Sequence, residues 1–233
     1  DRVKKNPAAI VSAVFLALMI LACVAGPLFL PASLGDPGPN QYAPPSWDHP
    51  FGTDLNGRDV LYRVLTGGRI SLLVGLCGAV VSLFIGTAWG LVAGYAGGRL
   101  DAFMMRIVDI LYSVPRLIFI LIAINAFNAG LQEWASREGF QWLVQSSRIA
   151  ILILTLGFIE WLTMARIVRG QVLSLKERQF VTAARALGQS HTKILVRHLL
   201  PNLAGIILVY LTLTIPAVVI DESFLSFLGL GIQ

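Results

Sequence analysis

Apolar positions along this chain gather into five long runs, residues 7–30, 70–93, 100–127, 149–164 and 203–220, with polar segments between them. At the α-helical rise, about 20 apolar residues cross the hydrocarbon of a bilayer, so each run predicts a membrane-spanning helix. The third run is the least uniform. Its first half carries Asp101, Arg106, Asp109 and Arg116, and Pro115 interrupts it. A helix that starts in the cytoplasmic interface and bends near Pro115 is expected there. Residues 31–69 hold Pro31, Pro37, Pro39, Pro44, Pro45 and Pro50, which forbid a continuous helix. Inside that segment Val60, Leu61, Val64 and Leu65 recur at helical spacing while Arg58, Asp59 and Arg63 fall elsewhere. This pattern predicts a short amphipathic helix along the outer interface, ended by Gly67 and Gly68. Residues 94–99 predict a tight cytoplasmic turn. Residues 128–148, with Asn128, Gly130, Gln132, Glu133, Arg137 and Glu138, predict an external loop with Trp134 as its aromatic anchor. Residues 165–202 form the longest cytoplasmic segment.

Composition agrees with the pattern. Of the 233 residues, 56% are hydrophobic and only 13% charged, and mean hydropathy is +0.74, against about a quarter charged in soluble domains. The fold class is therefore an all-α membrane protein, a polytopic helical bundle with five spans. It divides into residues 1–30 (N-terminal segment and first span), 31–69 (external loop) and 70–233 (core, with the cytoplasmic loop at 165–202). The net charge of +5 does not indicate a nucleic-acid partner, because the basic residues sit beside apolar runs and not on a soluble face. Arg2, Lys4, Lys5, Arg99, Arg106, Arg166, Arg169, Lys176, Arg178, Arg185, Lys193 and Arg197 all fall on segments assigned inside, 12 of the 18 Lys and Arg. The positive-inside rule then places the N-terminus in the cytoplasm. The first run resembles a signal peptide, and Ile20-Leu21-Ala22-Cys23 a lipoprotein cleavage site. The apolar stretch continues to Leu30, however, and an uncleaved helix is expected. Asp1 and Gln233 do not look like natural termini. Five crossings leave Gln233 outside, so a sixth span beyond it is expected.

Candidate chemistry is sparse. There is no Gly-rich loop followed by Lys and Ser/Thr, and no His-Glu-x-x-His, so the chain is expected not to be an enzyme and to carry no ATPase site of its own. Cys23 and Cys77 lie in apolar runs as small hydrophobes and imply no disulfide. His49, His191 and His198 are not spaced as a metal site. Asp54, Asn56 and Arg58 echo a calcium loop, but its twelfth position would be Leu65 where a Glu is required. Gly229 and Gly231 mark a turn. Within the spans, Asp109, Tyr112, Ser113 and Arg116 share one helical face, and Glu160 stands in the fourth run. This polar face either lines a solute pathway or satisfies itself through ion pairs and snorkelling. Asp221 and Glu222 are read as residues near the outer interface.

The stretch 179–202 is the most informative. Phe180-Val181-Thr182-Ala183-Ala184-Arg185-Ala186-Leu187-Gly188 suits a short, slim helix that Gly188 can end, followed nine residues on by His198-Leu199-Leu200-Pro201-Asn202. A compact docking element and an ordinary basic connector both fit. The spacing of Ala183-Ala184, Gly188 and Leu200-Pro201 resembles the cytoplasmic signature loop of ABC importer permeases, with Thr182 where the pattern has Glu and His198 where it has Ile. Phe51-Gly52-Thr53-Asp54-Leu55-Asn56-Gly57-Arg58-Asp59-Val60-Leu61, followed by Gly68-Arg69-Ile70-Ser71-Leu72, together with Gly94-Tyr95-Ala96-Gly97-Gly98, Arg106-Ile107-Val108-Asp109 and Leu225-Ser226-Phe227-Leu228-Gly229-Leu230-Gly231, resemble the dipeptide, oligopeptide and nickel branch.

That resemblance implies a bundle of the type I importer kind, and a second, C-type permease chain that forms half of a pathway for peptides across the bacterial inner membrane. Nickel or another small solute is the alternative substrate. It implies a heterodimer with a second permease subunit, two ABC ATPase subunits that use ATP and Mg, an external solute-binding protein, and no cofactor on this chain. The ATPase-coupling residues it implies are Glu177, Phe180, Val181, Ala183, Ala184, Arg185, Leu187 and Gly188. A secondary transporter, the rival reading, would be expected to show internal repeats.

Overall fold

The computed structural model describes residues 6–137, 139 and 141–229, in two compact units, 1–73 and 74–233. Arg2, Lys4, Lys5, Glu138, Leu230 and Gly231 lie outside the described residues. In the first unit α1 (Pro7–Phe29) starts at Asn6, whose Oδ1 accepts the Ala8 N–H at 3.1 Å. None of its residues is buried, so a fully apolar helix presents oil on every side, which suits hydrocarbon and not water.

The proline-rich loop is folded upon itself. Thr53 Oγ1 donates to the Asn40 carbonyl at 2.6 Å and accepts from Ala43 N–H at 2.8 Å, and Gly38 N–H reaches the Asn56 carbonyl at 3.0 Å. A side chain on Gly57 (φ +74) would begin 2.2 Å from the Gly38 carbonyl oxygen, so only glycine fits. Asp54 closes the turn by accepting from Asn56 N–H and Arg58 N–H at 2.8 and 2.9 Å and pairing with Arg63. These backbone bonds are what the Asp-x-Asn-x-Arg spacing serves. Asp59, buried, caps the next helix by accepting Tyr62 N–H at 2.7 Å and holds His49 Nδ1 at 3.0 Å.

The Arg58 N–H holds the Asp54 carboxyl below its ordinary range; burial opposes this, and the Asn56 N–H and Arg63 add to it. A depressed carboxyl gives its stabilisation in full above the unfolded value of about 4 and loses it as pH falls through the folded one. The turn is therefore expected to keep its amide protection at neutral pH and to lose it gradually as pH falls from about 4 down through the lowered value of Asp54. Hydrogen exchange at Asn56 and Arg58 checks this, and protection no weaker at any acidic pH, or unchanged in Asp54→Asn, would contradict it.

The next helix, α2 (Val60–Ala96), corrects the expectation of a separate amphipathic helix. It runs unbroken through Gly67 and Gly68 into the second span. Two interior glycines cost about 1 kcal/mol each in a helix, but a side chain on Gly68 would begin 2.7 Å from Cys23 Sγ, so close approach of α1 requires its absence.

In the second unit Gly97 (φ +65) and Gly98 (φ +55) turn the chain into α3 (Gly98–Ser113). A break at Val114-Pro115 bends the path by 90° into α4 (Arg116–Arg137), as the proline predicts. The expected loop at 128–148 is corrected: α4 continues to Arg137 and α5 (Gln141–Leu175) begins at Gln141. Glu133 and Arg137 pair at 2.6 Å across one turn, so those polar residues extend a helix and do not end it. Among the described residues four helices are long and apolar enough to span a membrane, and the bent α3–α4 pair, taken together, meets the same length and polarity as a fifth candidate.

The core of this unit is built on close approach. Gly78, Ser82, Gly86, Gly90 and Gly94 recur every fourth residue along α2 and are buried. Side chains built on Gly86, Gly90 or Gly94 would begin 2.5 to 2.9 Å from the backbone or Cβ atoms of Trp161, Met164, Ala165, Val168, Arg169 and Val172 on α5. Gly157 of α5 returns the contact, lying 2.8 Å from the Gly78 carbonyl by the same measure. This is the small-xxx-small packing that lets helices associate in hydrocarbon, where no hydrophobic force drives them together.

After α5 come α6 (Gln179–Ala186), α7 (His191–Ile194), a π-helical turn (Leu195–Leu199) and α8 (Leu200–Phe227). The expected second helix and fifth span are one continuous element: the chain stays helical from His191 into α8, and the π-helical turn at Leu195–Leu199 adjoins Pro201, whose missing N–H interrupts the regular i to i−4 ladder there.

Candidate functional site

Two polar arrangements stand out from the apolar bundle. The first is a seam between α3 and α5. Arg169 grips Asp101 with two bonds, Nε to Oδ1 at 2.5 Å and Nη2 to Oδ2 at 2.7 Å. One turn along, Arg166 Nη2 donates to Asp109 Oδ1 at 2.7 Å and its guanidinium lies 4.0 Å over the Tyr112 ring. The Tyr112 hydroxyl meets Thr163 Oγ1 at 2.5 Å. Arg116, just past the bend, pairs with Glu160 of α5 and with Asp221 of α8. The α5 partners, Glu160, Thr163, Arg166 and Arg169, occupy every third position, so the seam follows one ridge of that helix.

The five residues of the expected polar face are thus divided. Tyr112, Ser113, Arg116 and Glu160 line a cavity of about 230 Å³ at the bend. Asp109 joins the seam through Arg166 instead of pairing with Arg116. The Ser113 hydroxyl donates to the Ile110 carbonyl of its own helix at 2.6 Å. Asp221, read as lying near the outer interface, is tied to Arg116, and Glu222 beside it is buried. Sequence reading missed Thr163, Arg166 and Arg169. Their three-residue spacing from Glu160 was the available signal, hidden because two of them counted as interfacial charges.

The second arrangement is the hairpin of α6 and α7. Val181 and Ala184 are buried in an apolar cluster with Val168 and Val172 of α5, Ile194, Leu199 and Leu203. These two of the eight coupling candidates face their own chain. Phe180 and Ala183 of α6 and Leu187 just past its last residue are exposed, Leu187 by 79%, on a flank about 100° round the helix from Val181 and Ala184, and Glu177 is exposed before it. Gly188 (φ +72) ends α6 in a Schellman turn, with Gly188 N–H on the Arg185 carbonyl at 2.9 Å and Gln189 N–H on the Ala184 carbonyl at 3.1 Å. Ser190 caps α7. His198, where the resembling pattern has Ile, bonds Gln189 Oε1 through Nε2 at 2.8 Å, closing the hairpin with a polar clasp. Arg185 lies over the Tyr95 ring.

Fold and site define a polytopic helical membrane protein whose bent span is charge-tied to its neighbour, with a small apolar helix held on the bundle between α5 and α8. The family of binding-protein-dependent transport system inner membrane components matches residues 86–233, and the N-terminal transmembrane domain of oligopeptide transport permease C matches residues 1–45. The chain is 41% identical to the oligopeptide transport system permease protein OppC of Haemophilus influenzae, over 98% of this chain and 69% of that protein. It is 42% identical over its whole length to the dipeptide transport system permease protein DppC of Bacillus subtilis, covering 67% of it, and 39% identical to OppC of Escherichia coli, covering 72%. The chain belongs to the binding-protein-dependent transport system inner membrane component family. It is a multi-pass permease subunit of such a system.

Proposed function

We propose that this chain forms one half of the pathway by which an ATP-driven importer carries peptides across the bacterial inner membrane, with α6 as the helix that couples it to an ATPase subunit. The oligopeptide and dipeptide permeases among its relatives support the substrate class. The assembly we propose has a second permease subunit, two ATPase subunits that use ATP and Mg, and an external solute-binding protein, with no cofactor on this chain. Its N-terminus is cytoplasmic, so the loop before α2 faces outward and the α6–α7 hairpin faces the ATPases.

The observation that carries the coupling role is the two-sidedness of α6. Val181 and Ala184 root it in the bundle, while Phe180, Ala183 and Leu187 make an exposed apolar flank beside that buried stripe. Burying a Leu or Phe side chain contributes about 1.5–3 kcal/mol, so a partner groove that covers Phe180 and Leu187 gains enough to hold the helix through a stroke. The seam supports the pathway role. Asp109, Tyr112, Arg116 and Arg166 are about 40 to 60% exposed. A charge at the bilayer centre costs about 2.5–3.5 kcal/mol, which favours turning this face to water or to the second permease.

The test is Ala183→Trp in the complete transporter. A bulky ring on the outward face is expected to reduce uptake about tenfold or more, a loss of at least about 1.4 kcal/mol of coupling, while the ATPase still copurifies. Normal coupled uptake by that variant would end the assignment. A single cysteine at Ala183 that cross-links to the ATPase subunit checks the contact itself.

A further inference from the structure

The hairpin reaches the membrane by three routes. Residues 176–178 join α6 directly to α5, and α7 leads without interruption into α8. A push on α6 therefore moves α5 and α8 through covalent backbone. The third helix of the packed core, α2, has no chain connection to the hairpin. It meets the apolar cluster through Leu91, and apolar contacts of that kind can slide. Among the described residues its directional contacts with α6 and α7 themselves are made by Tyr95, the penultimate residue of α2.

Tyr95 is held from both helices of the hairpin. Its hydroxyl bonds His191 Nδ1 of α7 at 2.9 Å, and the two rings meet edge to face with centroids 5.7 Å apart. The Arg185 guanidinium of α6 stands 5.1 Å from the same ring centroid. One residue earlier, Lys176 Nζ, at the root of α6, donates to the Gly94 carbonyl at 3.0 Å and places a cation at the negative end of α2. Gly94 is also the last glycine of the close-packed stripe, so displacement at this point enters α2 where it is interlocked with α5.

We infer that Tyr95 is a positioning residue for coupling: it converts movement of the α6–α7 hairpin into movement of α2, so that α2, α5 and α8 shift together. The inference rests on α6 being the coupling helix and adds the element through which the third span is engaged. The role assigned to Tyr95 acts through His191 and Arg185 and not on solute or nucleotide. Its effect is read in the number of ATP molecules hydrolysed per peptide taken up.

The experiment uses the complete transporter, with both permeases, the ATPases and the binding protein, in proteoliposomes supplied with a peptide that the binding protein retains. Tyr95→Leu, which removes the hydroxyl and the ring, is expected to raise ATP hydrolysed per peptide by about tenfold. Tyr95→Phe, which keeps the ring under Arg185, is expected to raise it by about threefold, the effect of one hydrogen bond. A ratio equal to wild type in Tyr95→Leu overturns the inference. If Tyr95→Leu does not assemble, Tyr95→Phe and His191→Ala decide: a raised ratio supports the role and an unchanged one overturns it. The same preparations carry Ala183→Cys. A cross-link to the ATPase together with an unchanged ratio removes only Tyr95, whereas absence of the cross-link in wild-type background overturns the coupling-helix reading and this inference with it.

Discussion

Replacing Gly90 by leucine is expected to prevent the transporter from accumulating. The first added carbon would begin 2.5 Å from the Ala165 carbonyl oxygen, 2.8 Å from Val168 Cβ and 2.9 Å from the Arg169 nitrogen. Two of those three atoms are backbone, so rotation of a side chain cannot relieve the overlap, and α2 must move off α5. Overpacking by a few methylenes costs about 1–3 kcal/mol where side chains can adjust, and a clash with backbone exceeds that. The loss also spreads. Arg169 is the residue that grips Asp101, so shifting its backbone loosens the first rung of the α3 seam. Gly67 is the matched control. It lies on the same helix, and a side chain there meets nothing within 4 Å. Gly67→Ala is expected to be neutral or to stabilise by up to about 1 kcal/mol through helix propensity. Protein recovered as a monodisperse complex in mild detergent, and its melting temperature, check the pair. Wild-type recovery of Gly90→Leu would refute the close-packing account.

What could be read from the sequence follows from the range of the forces involved. Spans were legible because hydrocarbon imposes a length and a polarity on each helix independently of its neighbours. Pro115 and Gly188 were legible for a similar reason: a missing N–H and a left-handed turn are local facts. The glycine stripe at 78, 86, 90 and 94 was present in the sequence but was not read, since a glycine that breaks a helix and one that admits a neighbour are the same letter. Gly67 and Gly68 were misread on those grounds. The exposed and buried sides of α6 could not be told apart from eight residues, because Ala183 and Ala184 are chemically identical and only the apolar cluster beneath decides which of them turns inward. Asp221 was the hardest to place. Its partner Arg116 lies 105 residues earlier, and a charge near the end of a span looks the same whether it faces headgroups or a guanidinium.

The Arg116 cluster leads to the second large effect. Arg116→Leu is expected to destabilise the second unit and to abolish uptake, because it leaves Glu160, whose side chain is 9% exposed, and Asp221, at 19%, facing each other without their shared cation. Removing one partner of a buried ion pair costs about 3–5 kcal/mol, and the lower end applies because the guanidinium itself is 40% exposed. Arg116→Lys is expected to recover part of the loss, since an ammonium keeps the charge but lacks the planar fork that addresses two carboxylates. The decisive variant is the triple change Arg116→Leu, Glu160→Gln, Asp221→Asn. It removes the uncompensated charges together with the cation, and neutral amides can satisfy one another. If the triad serves stability alone, the triple variant regains both melting temperature and uptake. If the charges also act on the solute path, it regains melting temperature while uptake stays low, because the cavity beside the Pro115 bend has lost its charged wall. Full stability of Arg116→Leu by itself would refute the triad as a structural tie. The bend at Pro115 explains why the outcome matters for transport: Arg116 is the first residue past the break, so its two carboxylates fix where α4 begins relative to both α5 and α8.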